Sequence, residues 1–181
     1  AMDTYLLDTN IISELVGERL PAHQACNQRL AEAAKAGSRI LLSVVSMAEI
    51  EFGLQIGGDP KSEEAEALRK FFADYPIHIG FDDDAVQAYS LIRAKLFEMY
   101  GTPRAKRRGF KEKRPEELRD RVAGKELGID ERDLLIVSAA IQYNCVLVTS
   151  DSNEGMRRIR KAADELARDG KPTLLRTEDW R

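Results

Sequence analysis

Four residues suited to a buried strand, Thr4-Tyr5-Leu6-Leu7, run directly into Asp8, Thr9 and Asn10, and a helix-like pattern begins at once. That junction constrains the fold more than any other stretch. It puts Asp8 just past the C-terminal end of a strand, the edge of an open α/β sheet where ligands and catalytic groups gather. A carboxylate there can ligate a metal, and it can also cap the helix that follows. On this stretch alone the cap is the better reading, so the question is whether further acids reach the same edge.

The rest of the chain repeats the alternation. Asn10 to about Val16 reads as a short helix, and a longer one with Leu30, Ala33 and Ala34 at helical spacing runs up to Gly37. Ile40-Leu41-Leu42 is a short buried strand. In the next helix Ser46 and Glu49 have the spacing of a capping box, and the helix carries Ile50, Phe52, Leu54 and Ile56 up to Gly57. Residues 62–75 form an amphipathic helix, Ile77-His78-Ile79 a third strand, and Asp82-Asp83-Asp84 reads as the cap of a helix over 85–100. Asp130 and Glu131 open a helix with Leu134, Leu135, Val137, Ala140 and Ile141 on its core side. Cys145–Thr149 is a strand apolar on both faces, followed by Ser150-Asp151, a basic helix over 154–168 and a last strand, Thr173-Leu174-Leu175-Arg176. Short strands alternating with helices, without an internal repeat, predict a doubly wound parallel sheet in a single domain over 1–181.

With 181 residues, 43% of them hydrophobic, the chain is long enough for a core that needs no staples. Cys26 and Cys145 lie far apart and neither has a metal-ligand spacing to a histidine, which fits a reduced, cytoplasmic protein. No apolar run approaches the roughly 18 residues of a membrane span, so no membrane partner is expected. Histidine occurs only as His23 and His78, so neither a histidine pair for acid and base nor a histidine-rich zinc site can be assembled.

Acids are the chemistry that remains. Asp8 follows the first strand and Asp151 the strand over 145–149, so both fall on one edge of the sheet and converge if those strands are neighbours. Glu49 and Asp133 lie in the first turns of helices that begin near that edge. Oxygen ligands without histidine or thiolate select Mg²⁺ or Mn²⁺ rather than zinc. Such a site suits phosphodiester hydrolysis without a side-chain nucleophile.

These same residues carry a resemblance. Leu7-Asp8-Thr9-Asn10, Ser46-Met47-Ala48-Glu49-Ile50-Glu51-Phe52-Gly53, Asp133 to Ala140 and Val148-Thr149-Ser150-Asp151 together resemble a PIN-domain ribonuclease of the VapC toxin type. The helix over 85–96 and the final Asp179-Trp180 extend the likeness. Each motif alone is weak, and four in order at the expected strand and helix ends are specific. The resemblance implies a sheet ordered 3-2-1-4-5 flanked by helices and an Mg²⁺- or Mn²⁺-dependent endoribonuclease acting on RNA. It also implies a homodimer and inhibition by a small antitoxin protein. Carried over by position, Asp8, Glu49, Asp133 and Asp151 would be the catalytic, metal-binding quartet, with Asn10, Ser46 and Thr149 as supporting polar groups. Two departures stand out: Ser150 replaces the usual Asn, and residues 101–128 are longer than the family's loop.

That insertion is basic. Between Pro103 and Pro115, the residues Arg104, Lys106, Arg107, Arg108, Lys111, Lys113 and Arg114 face one acid, a local charge of +6 against −3 for the whole chain. A solvated loop is the default reading, and contact with an RNA backbone is the functional one, with Phe110 available to stack a base. Arg157, Arg158, Arg160 and Lys161 form a second basic set that reads equally as a surface helix face. Bland readings also exist for the acids: Glu49 as half of a capping box, Asp133 as a helix-start charge, Arg132 as a weak surface pair, and Glu51 and Asp130 as solvated. Two rival functions remain. A haloacid-dehalogenase-like phosphatase also begins with a strand ending in Asp, but wants a second Asp where this chain has Asn10. A catalytically silent PIN-fold module would keep the acids and only bind RNA or protein.

Overall fold

The computed structural model describes residues 2–57, 59–101, 121–122 and 125–181. The basic run at Arg104, Lys106, Arg107, Arg108, Lys111, Lys113 and Arg114, with Phe110, lies outside the described residues. In chain order the elements are β1 (Thr4–Leu7), α1 (Thr9–Val16), α2 (His23–Lys35), β2 (Arg39–Ser43), α3 (Val44–Gly57), α4 (Glu63–Asp74) and β3 (His78–Ile79). A 3₁₀ turn at Asp83–Ala85 precedes α5 (Val86–Tyr100). After it come a two-stranded hairpin of β4 (Arg121–Val122) and β5 (Lys125–Glu126), α6 (Glu131–Gln142), β6 (Val146–Val148), α7 (Glu154–Arg168) and β7 (Arg176–Glu178).

Five strands make one parallel sheet in the order β3-β2-β1-β6-β7. Without the separate hairpin this is the expected 3-2-1-4-5. Leu7 lies beside Leu42 on one side and Val148 on the other. The chain therefore winds outward from β1 in one direction through β2 and β3, then returns to β6 and winds the other way. The place where the order reverses, between the C-terminal ends of β1 and β6, is where such sheets bind ligands.

Strand side chains alternate between two cores, as a pleat requires. Leu6, Leu41 and Leu147 point into a cluster with Ile92 and Leu96 of α5, Leu134 and Val137 of α6, and Met156 and Ile159 of α7. Leu7, Leu42 and Val148 point the other way, against Ile11 and Ile12 of α1, Leu30 of α2, Leu68 and Phe72 of α4, and Trp180. Trp180 stands edge-on to Tyr5, with ring centroids 5.2 Å apart, and its indole N–H donates to Glu178 at 3.0 Å. Helix α7 shows why its boundaries were legible. Met156, Ile159, Ala163 and Leu166 recur at helical spacing and are buried, each larger side chain contributing about 1.5–3 kcal/mol, while Asn153 caps its start through a 2.9 Å bond from the Met156 amide.

The end of the long insertion is anchored rather than solvated. Leu127 and Ile129 are buried in the first core, and Leu127 and Gly128 turn the chain with φ of 51° and 71°.

Three expected details differ. Helix α3 begins at Val44, two residues before the expected cap, because the Ser43 hydroxyl accepts the Val45 amide at 3.1 Å. Ser46 is therefore inside the helix, buried, and not its cap. Along the same helix Phe52 and Ile56 are exposed by 61% and 71%, so the apolar run at 50–56 is only half docked. The last strand starts at Arg176 and not at Thr173. Thr173 instead turns inward and donates to the Ala163 carbonyl at 3.0 Å, and Leu174 faces solvent.

Candidate active site

The edge predicted from Asp8 is assembled by four separate segments. Asp8 ends β1, with its amide donating to the Val148 carbonyl of β6 at 3.0 Å, so β1 and β6 carry Asp8 and Thr149 side by side. Asp8 is only 5% exposed. Oδ1 accepts the Thr9 amide at 2.8 Å and thereby caps α1, while Oδ2 accepts the Thr149 hydroxyl at 2.6 Å and the Asn10 amide group at 3.2 Å. Asn10 also accepts the Ser150 amide at 3.2 Å through its carbonyl oxygen, tying the β1 and β6 loops together. The cap reading of Asp8 holds, and the same side chain lies beside the other acids. A second Asp at position 10, which the phosphatase reading requires, is replaced by a side chain wholly occupied in this bracing.

Glu49 arrives from the first turns of α3. Its Oε2 accepts the Thr9 hydroxyl at 2.6 Å, and its Oε1 pairs with Arg132 at 2.8 Å. The capping-box reading fails for the same reason as before, since Ser46 is not at the helix start. Ser46 lies one turn ahead of Glu49 on the same face, and its buried hydroxyl has no partner among the described residues. Asp133 is in the first turn of α6, which Asp130 caps through the Arg132 amide at 3.1 Å. No hydrogen bond reaches the Asp133 carboxylate from the described residues. Asp151 follows β6. Its amide donates to the Thr149 hydroxyl at 3.0 Å and its two carboxylate oxygens hold Asn153 at 2.8 and 2.7 Å.

Electrostatics ties the four acids together. Burial pushes the Asp8 carboxyl above its ordinary value, against the hydrogen bonds from Thr149 and Thr9, and the charges of Glu49 and Asp151 push it further. The Asp133 carboxyl is pushed up to about 7, first by burial and then by the neighbouring charges of Asp130, Asp8, Asp151 and Glu49. Burial and neighbouring negative charge acting together on Asp8 and Asp133 are a pattern met at functional sites.

Among the described residues no three His, Cys, Asp or Glu side chains stand together as a group that could hold a metal ion. The donor set nonetheless fits a hard divalent cation: oxygens only, under mutual repulsion, with the unpartnered Ser46 hydroxyl beside them.

Three residues matter more than the sequence reading allowed. Thr9 holds Glu49, and the only signal for it was its place between Asp8 and Asn10. Asp130, expected to be solvated, caps α6 and is the largest charge acting on Asp133; its spacing of three from Asp133 on one helix was the available signal. Arg132, expected to be a weak surface pair, bridges Asp130 and Glu49. Glu51 does turn away from Glu49, as expected from its spacing, but it is held by a two-pronged Arg69 pair rather than by solvent alone. In the second basic set, on α7, Arg160 reaches the Asp151 carbonyl at 3.4 Å, whereas Arg158 lies over the Tyr100 ring at 4.4 Å and Arg157 pairs with Glu154.

Three solved structures share this arrangement of elements. VapBC2 from Rickettsia felis, bound to a DNA fragment from its promoter, is 21% identical over 98% of this chain and 99% of that one, with a TM-score of 0.62. DNA-bound VapBC from Salmonella typhimurium is 16% identical over 99% and 100%, with a TM-score of 0.55. FitAcB from Neisseria gonorrhoeae is 18% identical over 86% and 92%, with a TM-score of 0.50. No curated protein matches the sequence. Residues 5–162, which include all four acids, match the PIN domain, and the chain belongs to that family.

Proposed function

We propose that this protein is a divalent-metal-dependent endoribonuclease and the toxin component of a toxin–antitoxin pair. The observation that carries the reading is the convergence of Asp8, Glu49, Asp133 and Asp151, from four segments, at the switch point between β1 and β6, with Asp133 pushed up to about 7 by burial and by its neighbours. These four would hold Mg²⁺ or Mn²⁺. When bound, such an ion lowers the pKa of a water and offsets charge on the phosphodiester.

The chain's own residues supply orientation. Thr9, Thr149 and Asn10 fix both oxygens of Asp8, and Thr9 also fixes Glu49. Ser46 offers a hydroxyl without a partner among the described residues. Side-chain nucleophiles and imidazole bases do not compete with this scheme. His23 contacts the Glu14 carbonyl and His78 the Phe72 carbonyl, while Cys26 and Cys145 are both buried.

The motif resemblance to VapC toxins, with the likeness in fold to VapBC and FitAcB, supports the toxin role and a small antitoxin partner, and the motif resemblance also implies a homodimer. On this reading the protein acts on RNA in the cytoplasm. No helix among the described residues is long and apolar enough to cross a membrane. A silent PIN-fold binding module is the second reading, favoured by the fact that the acids are not already arranged as a cage among the described residues.

One assay separates the two. RNA and DNA oligonucleotides are incubated with the protein in Mg²⁺ or Mn²⁺, with and without chelator, alongside Asp8→Asn. Cleavage of RNA that chelator abolishes and Asp8→Asn reduces by about 100-fold or more supports the enzyme. Binding without cleavage supports the module, and full activity in Asp8→Asn removes Asp8 from the metal site.

A further inference from the structure

Arg132 is placed where no bystander would be. Its guanidinium forks onto Asp130, with Nη2 to Oδ2 at 2.8 Å and Nε to Oδ1 at 3.1 Å, and its remaining Nη1 reaches Glu49 Oε1 at 2.8 Å. Glu49 has its other oxygen occupied by Thr9 at 2.6 Å. Both oxygens of this acid are therefore engaged, one of them by a full positive charge. Its side chain is 21% exposed, whereas that of Arg132 is 53% exposed. Arg132 also lines a shallow groove of about 460 Å³ beside Val44, Ala48 and Phe52, so one side of it faces the acids and the other opens to solvent.

We propose, on the nuclease reading above, that Arg132 is an internal counter-ion for the acid cluster which a substrate phosphate draws off Glu49, so that substrate and metal are taken up together. A guanidinium and a divalent cation cannot share one carboxylate oxygen without strong repulsion, so Glu49 is released from Arg132 before it serves as a ligand. The guanidinium is planar, so Nη1 leaves Glu49 only when the whole group turns outward, and its pairing with Asp130, two residues away along the chain, holds it at the rim. A guanidinium freed this way matches a phosphodiester in shape and charge. The groove beside it brings a strand within reach, and exposed Phe52 lies along that approach. Arg132 thus acts through Glu49 as a positioning residue and lowers metal uptake until nucleic acid is present.

The test measures Mn²⁺ binding directly, by electron paramagnetic resonance of the free ion, on the full chain, Arg132→Gln and Arg132→Lys. Each is measured with and without a saturating 2′-O-methyl RNA oligonucleotide, shown by gel to stay intact throughout the titration, after subtraction of metal bound by the oligonucleotide alone. Thermal melts confirm folding, and since the cap to Asp130 uses the backbone amide of residue 132, it survives both changes. Without oligonucleotide, Arg132→Gln is expected to bind Mn²⁺ about three- to tenfold tighter than the unaltered chain. Oligonucleotide is expected to tighten Mn²⁺ binding by a similar factor in the unaltered chain and to have no such effect in Arg132→Gln. Arg132→Lys, which keeps the charge but not the fork, is expected to retain less than half of that tightening. Equal Mn²⁺ affinity in the unaltered chain and Arg132→Gln overturns the counter-ion role. An oligonucleotide effect that persists undiminished in Arg132→Gln overturns the exchange. Failure of the unaltered chain to bind Mn²⁺ under either condition overturns the nuclease reading itself.

Discussion

At the scale of single residues, the site is a set of acids held by hydroxyls and amides. Thr149 is the hub. It is buried, donates to Asp8 at 2.6 Å, accepts the Asp151 amide at 3.0 Å and lies 3.4 Å from the Asn10 amide group. Replacing it by the near-isosteric Val leaves a buried carboxylate short of a charge-assisted donor. Thr149→Val is therefore expected to cost about 1.5–3 kcal/mol in urea denaturation, with Thr149→Ser recovering most of it. Equal stability of Thr149→Val and the unaltered chain would show that Asp8 does not depend on this bond. The residue scale is also where sequence was least informative. Asp8 and Asp151 were legible because they follow strands, and Glu49 and Asp133 because they lie in the first turns of helices. The partners of Glu49 were not, since Thr9 and Arg132 lie 40 and 83 positions from it in sequence and no local pattern links them.

At the scale of elements, helix starts do much of the positioning. Asp8, Asp130 and Asn153 each cap a helix, and each also touches the acid cluster or its neighbours. Asn153 caps α7 by accepting the Met156 amide and donates its own amide group to Asp151 at 2.7 Å. Asn153→Ala is expected to destabilise the fold by about 1 kcal/mol and, separately, to reduce metal-dependent cleavage through a looser Asp151. Comparing Asn153→Ala with Asn153→Asp in melts and in cleavage separates the two effects: Asp keeps the cap, but its carboxylate repels Asp151. Most elements were read correctly from period and punctuation, α7 to the residue. The misreadings share a cause. At α3 and at β7 the sequence offered two adjacent starts of similar local quality, and tertiary contacts chose: the Ser43 hydroxyl began α3 early, and burial of Thr173 against Ala163 delayed β7.

At the scale of the molecule, the acids meet at the sheet edge, while along the sequence the basic residues concentrate at 104–114, with a net charge of +6. The insertion returns to the core through Leu127 and Ile129, immediately before the cap of α6 that carries Asp133. Removing 104–114 is therefore expected to weaken RNA binding and flatten its dependence on salt, by a slope of roughly 0.7 for each phosphate no longer neutralised, while leaving metal binding intact. Fluorescence titrations at several salt concentrations check this, and an unchanged slope would mark the segment as a solvated loop. What the sequence determined by itself was the alternation of strands and helices, the parallel sheet they imply and the four acids at their ends, because hydrophobic period, turn residues and strand-end placement are local properties. That β1 and β6 are neighbours followed from the family resemblance and not from local pattern, and only the tertiary structure decided that Thr149 and Asn10 both brace Asp8 and that Arg132 closes on Glu49. Those facts depend on how distant segments pack across the switch point, where burial and like charge act on Asp8 and Asp133.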